Sequence, residues 1–244
     1  MDLGLTDRVY VVSGGTRGLG LAVARALTAE GARVVVSGRD ADSVAAAVAA
    51  LGESQATGVT ADTADPRSAE RLVAAAIDRW QRLDGALVNG AGPPLGNVLE
   101  ISDDTWRFSF ESVFLGAVRV ARVIAGHLTE DGSLAFVLST SAQAPIAGLD
   151  ISNGLRPGLA MLTRTLASQL GGRGIRVNAL LPGRITTERT GYIDAGTTAS
   201  STAAIPLGRA GELGEFGRVA AFVLSPAASY LSGTMIPVDG GASA

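Results

Sequence analysis

The chain contains no cysteine and no lysine. Without cysteine there is no disulfide, no iron–sulfur cluster and no thiolate zinc site. Without lysine, Schiff-base catalysis and a lysine general base are excluded, and all 20 basic residues are arginine. These arginines form no run and the net charge is −3, a pattern that argues against nucleic acid or an anionic membrane as the main partner. No apolar stretch has the length a bilayer-spanning helix needs. Residues 1–7 carry neither the basic nor the apolar region of a secretion signal, so the expected location is cytoplasmic. The single histidine, His127, falls near a helix end, and no triad of Ser, His and Asp or metal-ligand cluster is recognisable; no metal is expected.

What the chain does contain is apolar mass, 47% hydrophobic against 18% charged over 244 residues, enough for the core of one α/β domain spanning 1–244. Short apolar runs predict buried strands at 8–13, 33–37, 57–61, 85–89, 133–139, 175–180 and 235–238. Helical spacing between them predicts helices at 19–30, from about 40 or 42, at 66–82, 103–127, 153–170 and 213–224. Strict alternation of this kind makes a parallel sheet covered by helices on both faces. A Gly-, Thr- and Ser-rich stretch at about 184–211 reads as a loop. Helix 103–127 is apolar around most of its circumference, through Trp106, Phe108, Phe110, Val113, Phe114, Val118, Val120 and Val123. One sheet face buries only a stripe of a helix, so a second subunit is expected to cover the rest.

The first strand runs through Ser13-Gly14-Gly15-Thr16-Arg17-Gly18-Leu19-Gly20 directly into a helix. Glycine is needed where backbone turns tightly, approaches a pyrophosphate, or packs closely on a strand. The free N–H groups and positive end of the helix then hold phosphates. The second strand ends Ser37-Gly38-Arg39, without the acidic residue that accepts a ribose 2′-hydroxyl. Arg17 and Arg39 suit a 2′-phosphate instead, so NADP(H) is expected over NAD(H).

This glycine motif resembles that of the short-chain dehydrogenase/reductase family, in particular 3-oxoacyl-acyl-carrier-protein reductases. Leu87-Val88-Asn89-Gly90-Ala91-Gly92 is similar to the family's N-N-A-G segment, and Asp62-Thr63 to its adenine contact. Arg176-Val177-Asn178-Ala179-Leu180-Leu181-Pro182-Gly183, with Ile185 and Thr187 beyond it, resembles the segment at the nicotinamide side. Pro206-Leu207-Gly208-Arg209, Tyr230-Leu231-Ser232-Gly233 and Val238-Asp239-Gly240-Gly241 are similar to its C-terminal signature. The resemblance implies a Rossmann-type doubly wound sheet of order 3-2-1-4-5-6-7, hydride chemistry, a loop at about 184–211 that covers the substrate, and a homotetramer or homodimer. It also implies a cofactor site of Gly14, Thr16, Arg17, Gly18, Leu19, Gly20, Arg39, Asp62, Thr63, Asn89, Ala91, Gly92, Arg156, Pro182, Gly183, Ile185 and Thr187.

The family's catalytic Asn, Ser, Tyr and Lys are where the chain departs. Register on Gly158-Leu159-Ala160 puts Ser152 at the Tyr position and Arg156 at the Lys position, and Ser139, 13 residues before Ser152, at the Ser position. The Asn position falls on Ser109. A serine hydroxyl is far less acidic than a phenol, and arginine does not deprotonate, so the candidate catalytic set Ser139, Ser152 and Arg156 has an altered proton-transfer apparatus. Tyr192 in the covering loop is either a substitute acid or a loop tyrosine packing its ring. Asp150 is either a carboxylate behind Ser152 or a turn residue. Three functions fit: an NADP(H)-dependent oxidoreductase acting on a small carbonyl or alcohol, an NADP(H)-binding sensor or assembly partner with little turnover, and a non-redox lyase or isomerase.

Overall fold

In the computed structural model, residues 1–90, 92–187 and 202–243 are described. The strands are β1 (Val9–Val12), β2 (Arg33–Gly38), β3 (Ala56–Thr60), β4 (Gly85–Val88), β5 (Ser133–Val137), β6 (Arg176–Pro182) and β7 (Met235–Val238). They form one seven-stranded sheet in the order β3-β2-β1-β4-β5-β6-β7, every pair parallel. The helices are α1 (Gly18–Ala29), α2 (Ala41–Leu51), α3 (Ser68–Trp80), α4 (Asp103–Ser109), α5 (Gly116–His127), α6 (Asp150–Leu170) and α7 (Leu213–Leu224).

Strand alternation divides the core in two. Val9 and Val11 of β1 face one layer with Leu72 of α3, Ile124 of α5 and Leu159 of α6. Tyr10 and Val12 face the other with Leu27 of α1, Ala47 of α2 and Phe216 of α7. Both faces of β1 are apolar because both are buried, which is why its sequence reads as a run rather than an alternation. Among the described residues no helix is long and apolar enough to cross a membrane.

Three elements differ from the sequence expectation. The helix expected at 66–82 is Ser68–Trp80, since Pro66 precedes the N-cap Arg67 and Gln81 turns left-handed at φ 59°. The helix expected from 153 starts at Asp150, and contains Pro157. The helix expected at 103–127 changes its bonding: Phe110–Leu115 is π-helical between α4 and α5. Its apolar circumference is not all covered, with Phe108 and Phe110 exposed while Phe114, Val118 and Val123 pack on the core. His127 lies exposed at the end of α5 with Nδ1 2.9 Å from Val123 O, as a solvated helix-end residue would.

Arginine closes the helix ends at the far edge of the sheet. Arg173 donates to Ala125 O and Leu128 O at the end of α5, at 2.8 and 2.7 Å. Buried Arg176 donates to Val223 O, Leu224 O and Ser225 O at the end of α7, at 2.8, 3.3 and 2.9 Å. Burial pulls its guanidinium below the ordinary arginine value, but the carbonyl end of a helix is where a cation is favoured. Tyr10 Oη and Ser133 Oγ donate to the same Leu224 carbonyl. Arg176→Leu strips α7 of this cap and leaves buried acceptors unpaired, so urea denaturation is expected to show a loss of about 3 kcal/mol. A loss below about 0.5 kcal/mol, the ordinary range of a surface substitution, contradicts the capping role.

Candidate functional site

Parallel strands end at one edge of the sheet, and the sequence-predicted site residues gather there. After β1 the chain turns through Gly14 (φ 58°) and Gly18 (φ 54°), conformations that favour glycine. A Cβ at Gly20 meets Gly14 O at 2.1 Å, so the helix sits closer to the turn than any side chain permits. A Cβ at Gly18 meets nothing within 4 Å, leaving the turn open on its outer side. Asn89, after β4, holds the turn from below: its Nδ2 donates to Gly14 O at 3.1 Å. Ser13 Oγ donates to Asn89 O at 2.7 Å and accepts from Asn89 N at 2.9 Å.

Helix α1 has no side-chain cap and no acidic residue in its first turn, so its leading N–H groups face outward with the positive end of the dipole. Leu19 is half-buried there, and Thr16 packs against Gly38, where a Cβ would come within 2.6 Å. Arg17 and Arg39 are exposed at this corner and make no hydrogen bond or ion pair with a described residue. The nearest acid in sequence, Asp40, caps α2, accepting from Ser43 N at 2.8 Å and Ser43 Oγ at 2.6 Å. These bonds hold its carboxyl below the usual range.

Asp62 follows β3 and accepts from Ala64 N at 3.0 Å in a local turn. Thr63, Asn89 and Arg156 line one small cavity, about 20 Å³, room for a single water. Gly92 follows Asn89; Ala91 lies outside the described residues, as does Tyr192. Pro182 ends β6, Gly183 abuts Asp239 (a Cβ would meet its Cβ at 2.5 Å), Ile185 is buried beside Gly211, and Thr187 is half-buried.

The three expected catalytic residues each have a partner within the protein. Ser139 leaves β5 with extended backbone, and its hydroxyl accepts from Ser141 N at 3.1 Å. Ser152, only 4% exposed, pairs with Ser141 Oγ at 2.9 Å rather than with Ser139. Arg156, one helical turn on, is 8% exposed and donates Nη1 to Val137 O at 2.7 Å. Ser141 was missed in the sequence because nothing in Ser139-Thr140-Ser141 says which hydroxyl turns inward.

On helix 103–127 the Ser109 hydroxyl is buried without a hydrogen-bond partner, and Ser112 and Val113 line the same small cavity as Arg156. The π-helical stretch Phe110–Leu115 lies between Ser109 and α5, and its i→i+5 bonding shifts register relative to a uniform α-helix. Asp150, the first residue of α6, accepts from Val98 N at 2.8 Å and so joins two loops.

A doubly wound parallel sheet with a glycine turn at its switch point between β1 and β4 defines a Rossmann-type domain. The sequence profile described as Enoyl-(Acyl carrier protein) reductase matches residues 14–243. An uncharacterised oxidoreductase of Methylorubrum extorquens is 34% identical, covering 97% of this chain and 98% of its own. L-rhamnose 1-dehydrogenase (NAD(P)(+)) of Azotobacter vinelandii is also 34% identical, with 97% of each chain covered. The crystal structure of L-sorbose reductase from Gluconobacter frateurii with NADPH and L-sorbose superposes with TM-score 0.91 at 27% identity, over 99% of this chain and 98% of that one. The chain belongs to the short-chain dehydrogenase/reductase family of oxidoreductases.

The two glycines give opposite expectations. Gly20→Ala drives a Cβ into Gly14 O, so the turn must open and dinucleotide affinity is expected to fall about tenfold or more by calorimetry. Gly18→Ala meets no atom and carries only the left-handed backbone cost, about 1 kcal/mol in stability. Equal behaviour of the two variants contradicts this account of the turn.

Proposed function

We propose that this chain binds NADP(H) and is an oxidoreductase for a small carbonyl or alcohol substrate whose proton-transfer apparatus has been altered. The observation that carries the cofactor choice is the pair of exposed guanidiniums, Arg17 and Arg39, with an open glycine turn after β1 and the acid that follows Arg39, Asp40, committed to a helix cap. Attraction replaces the repulsion that an acid after β2 exerts on a 2′-phosphate.

Under this reading the backbone of Thr16 and Gly18 to Gly20 receives the pyrophosphate, Asp62 and Thr63 receive the adenine, and Asn89 to Gly92 flank the ribose. Arg156 holds ribose hydroxyls, while Pro182 to Thr187 meet the carboxamide. When bound, the nicotinamide supplies or accepts a hydride. Ser139 and Ser152 remain the nominated hydroxyls, and the Ser141–Ser152 pair is the reason proton transfer is expected to be slow: Ser152 is buried against a hydroxyl no more acidic than itself. The same observation favours a second reading, a cofactor-binding sensor or assembly partner with little turnover. Assembly as a homotetramer or homodimer, in the cytoplasm, belongs to the proposal, with the exposed Phe108 and Phe110 face covered by a second copy.

Calorimetric titration is expected to show tighter binding of NADP⁺ than NAD⁺, with Arg39→Asp reversing or abolishing the preference; equal affinities overturn it. Against generic ketones, NADPH oxidation is expected to fall roughly 10²–10⁴-fold below that of a relative with the Tyr and Lys in place. The double variant Ser152→Tyr with Arg156→Lys is expected to recover part of it, since a phenol without its ammonium keeps a high pKa. A wild-type rate equal to that of a complete relative contradicts the altered apparatus, and Tyr192→Phe then decides whether Tyr192 is the acid.

A further inference from the structure

The two loops that leave β4 and β5 at the site edge are fastened to each other. Gly96 N donates to Gly148 O at 2.9 Å, and Gly96 bridges Leu149. Asp150 accepts from Val98 N at 2.8 Å. The Asn153 amide accepts from Ile146 N at 3.0 Å and donates to Ile146 O at 2.9 Å, closing a ring like a strand pair. Two consequences follow. First, Asp150 and Asn153, the polar side chains nearest Ser152 in sequence, are both committed to backbone groups, and Ser152 is committed to Ser141. Second, the fastened loops hold apolar side chains in solvent: Leu95 is 50% exposed, Val98 53%, Leu99 89% and Ile146 36%. Exposed apolar side chains on loops tied to each other, in the segments just after Asn89 and between Ser139 and Ser152, are a binding surface for an apolar ligand.

We propose that Leu95, Val98, Leu99 and Ile146 form the rim of a substrate site for an apolar carbonyl compound, and that polyhydroxylated ketones are discriminated against. The inference rests on the oxidoreductase reading for the identity of the reacting group, and on the rim alone for its apolar character. Rejection of a polyol follows because each hydroxyl that leaves water without a partner is penalised.

The test is calorimetric titration of the full chain with 4-phenyl-2-butanone and with L-sorbose, each with and without NADP⁺. Titration without cofactor keeps the comparison of ketones intact if NADP⁺ fails to bind, a result that sinks the cofactor reading alone. 4-Phenyl-2-butanone is expected to bind at least about tenfold more tightly than L-sorbose. Leu99→Asp and Val98→Asp are expected to weaken it about tenfold while leaving NADP⁺ affinity and Tm unchanged; Leu99→Ser serves if an aspartate variant does not fold. Equal or tighter L-sorbose binding, no binding of either ketone, or rim variants without effect overturns the proposal. Sedimentation of Leu99→Asp as a smaller species than wild type also overturns it, because the rim is then a contact between copies.

Discussion

The site depends on one junction, where β1 and β4 part and the chain above each must turn. Ser13 and Asn89 exchange hydrogen bonds there, and the Asn89 amide fixes the carbonyl of Gly14. That carbonyl lies where Gly20 must pass, so the turn and the start of α1 have a single spacing. The outward N–H groups of α1, the open side of Gly18 and the position of Arg17 all follow from this spacing. A parallel sheet brings the ends of the other strands to the same edge, so Arg39, Asp62, Ser139 and Gly183 arrive without further instruction.

The absence of lysine has a structural counterpart. Arginine serves as helix terminator at Arg173 and Arg176, where a forked guanidinium reaches two or three carbonyls at once. At Arg156 the same fork binds the end of β5 through Val137 O. This position is therefore a strand-to-helix tie as well as a cation, and its fixed charge cannot take part in proton exchange. Ser152, meanwhile, has a buried partner in Ser141, so its hydroxyl is a satisfied polar group rather than an orphaned one.

The sheet, its strand order and the glycine turn were legible in the sequence, because burial on both faces imposes apolar runs and positive φ imposes glycine. The partner of Ser152, the residues that share a cavity with Arg156 and the fastening of residues 96–98 to 146–153 were not. Ser141, Val113 and Asn153 are ordinary residues whose significance lies in what approaches them from elsewhere. The π-helical stretch at Phe110–Leu115 shows the same limit, since hydrophobic spacing does not reveal a change in hydrogen-bond step.

By itself, then, the sequence determined the α/β class, the glycine turn after the first strand, the lack of thiol and lysine chemistry, and the presence of serine at 152 and arginine at 156. These are properties of residue type and local backbone. Only the tertiary structure decided that Ser152 turns to Ser141, that Ser112 and Val113 share a cavity with Arg156, and that Asp150 and Asn153 bind backbone. The physical reason is direction: a side chain's orientation is set by the packing of elements distant in sequence, and hydrogen bonds only a few ångströms long do not survive an error of one residue in register.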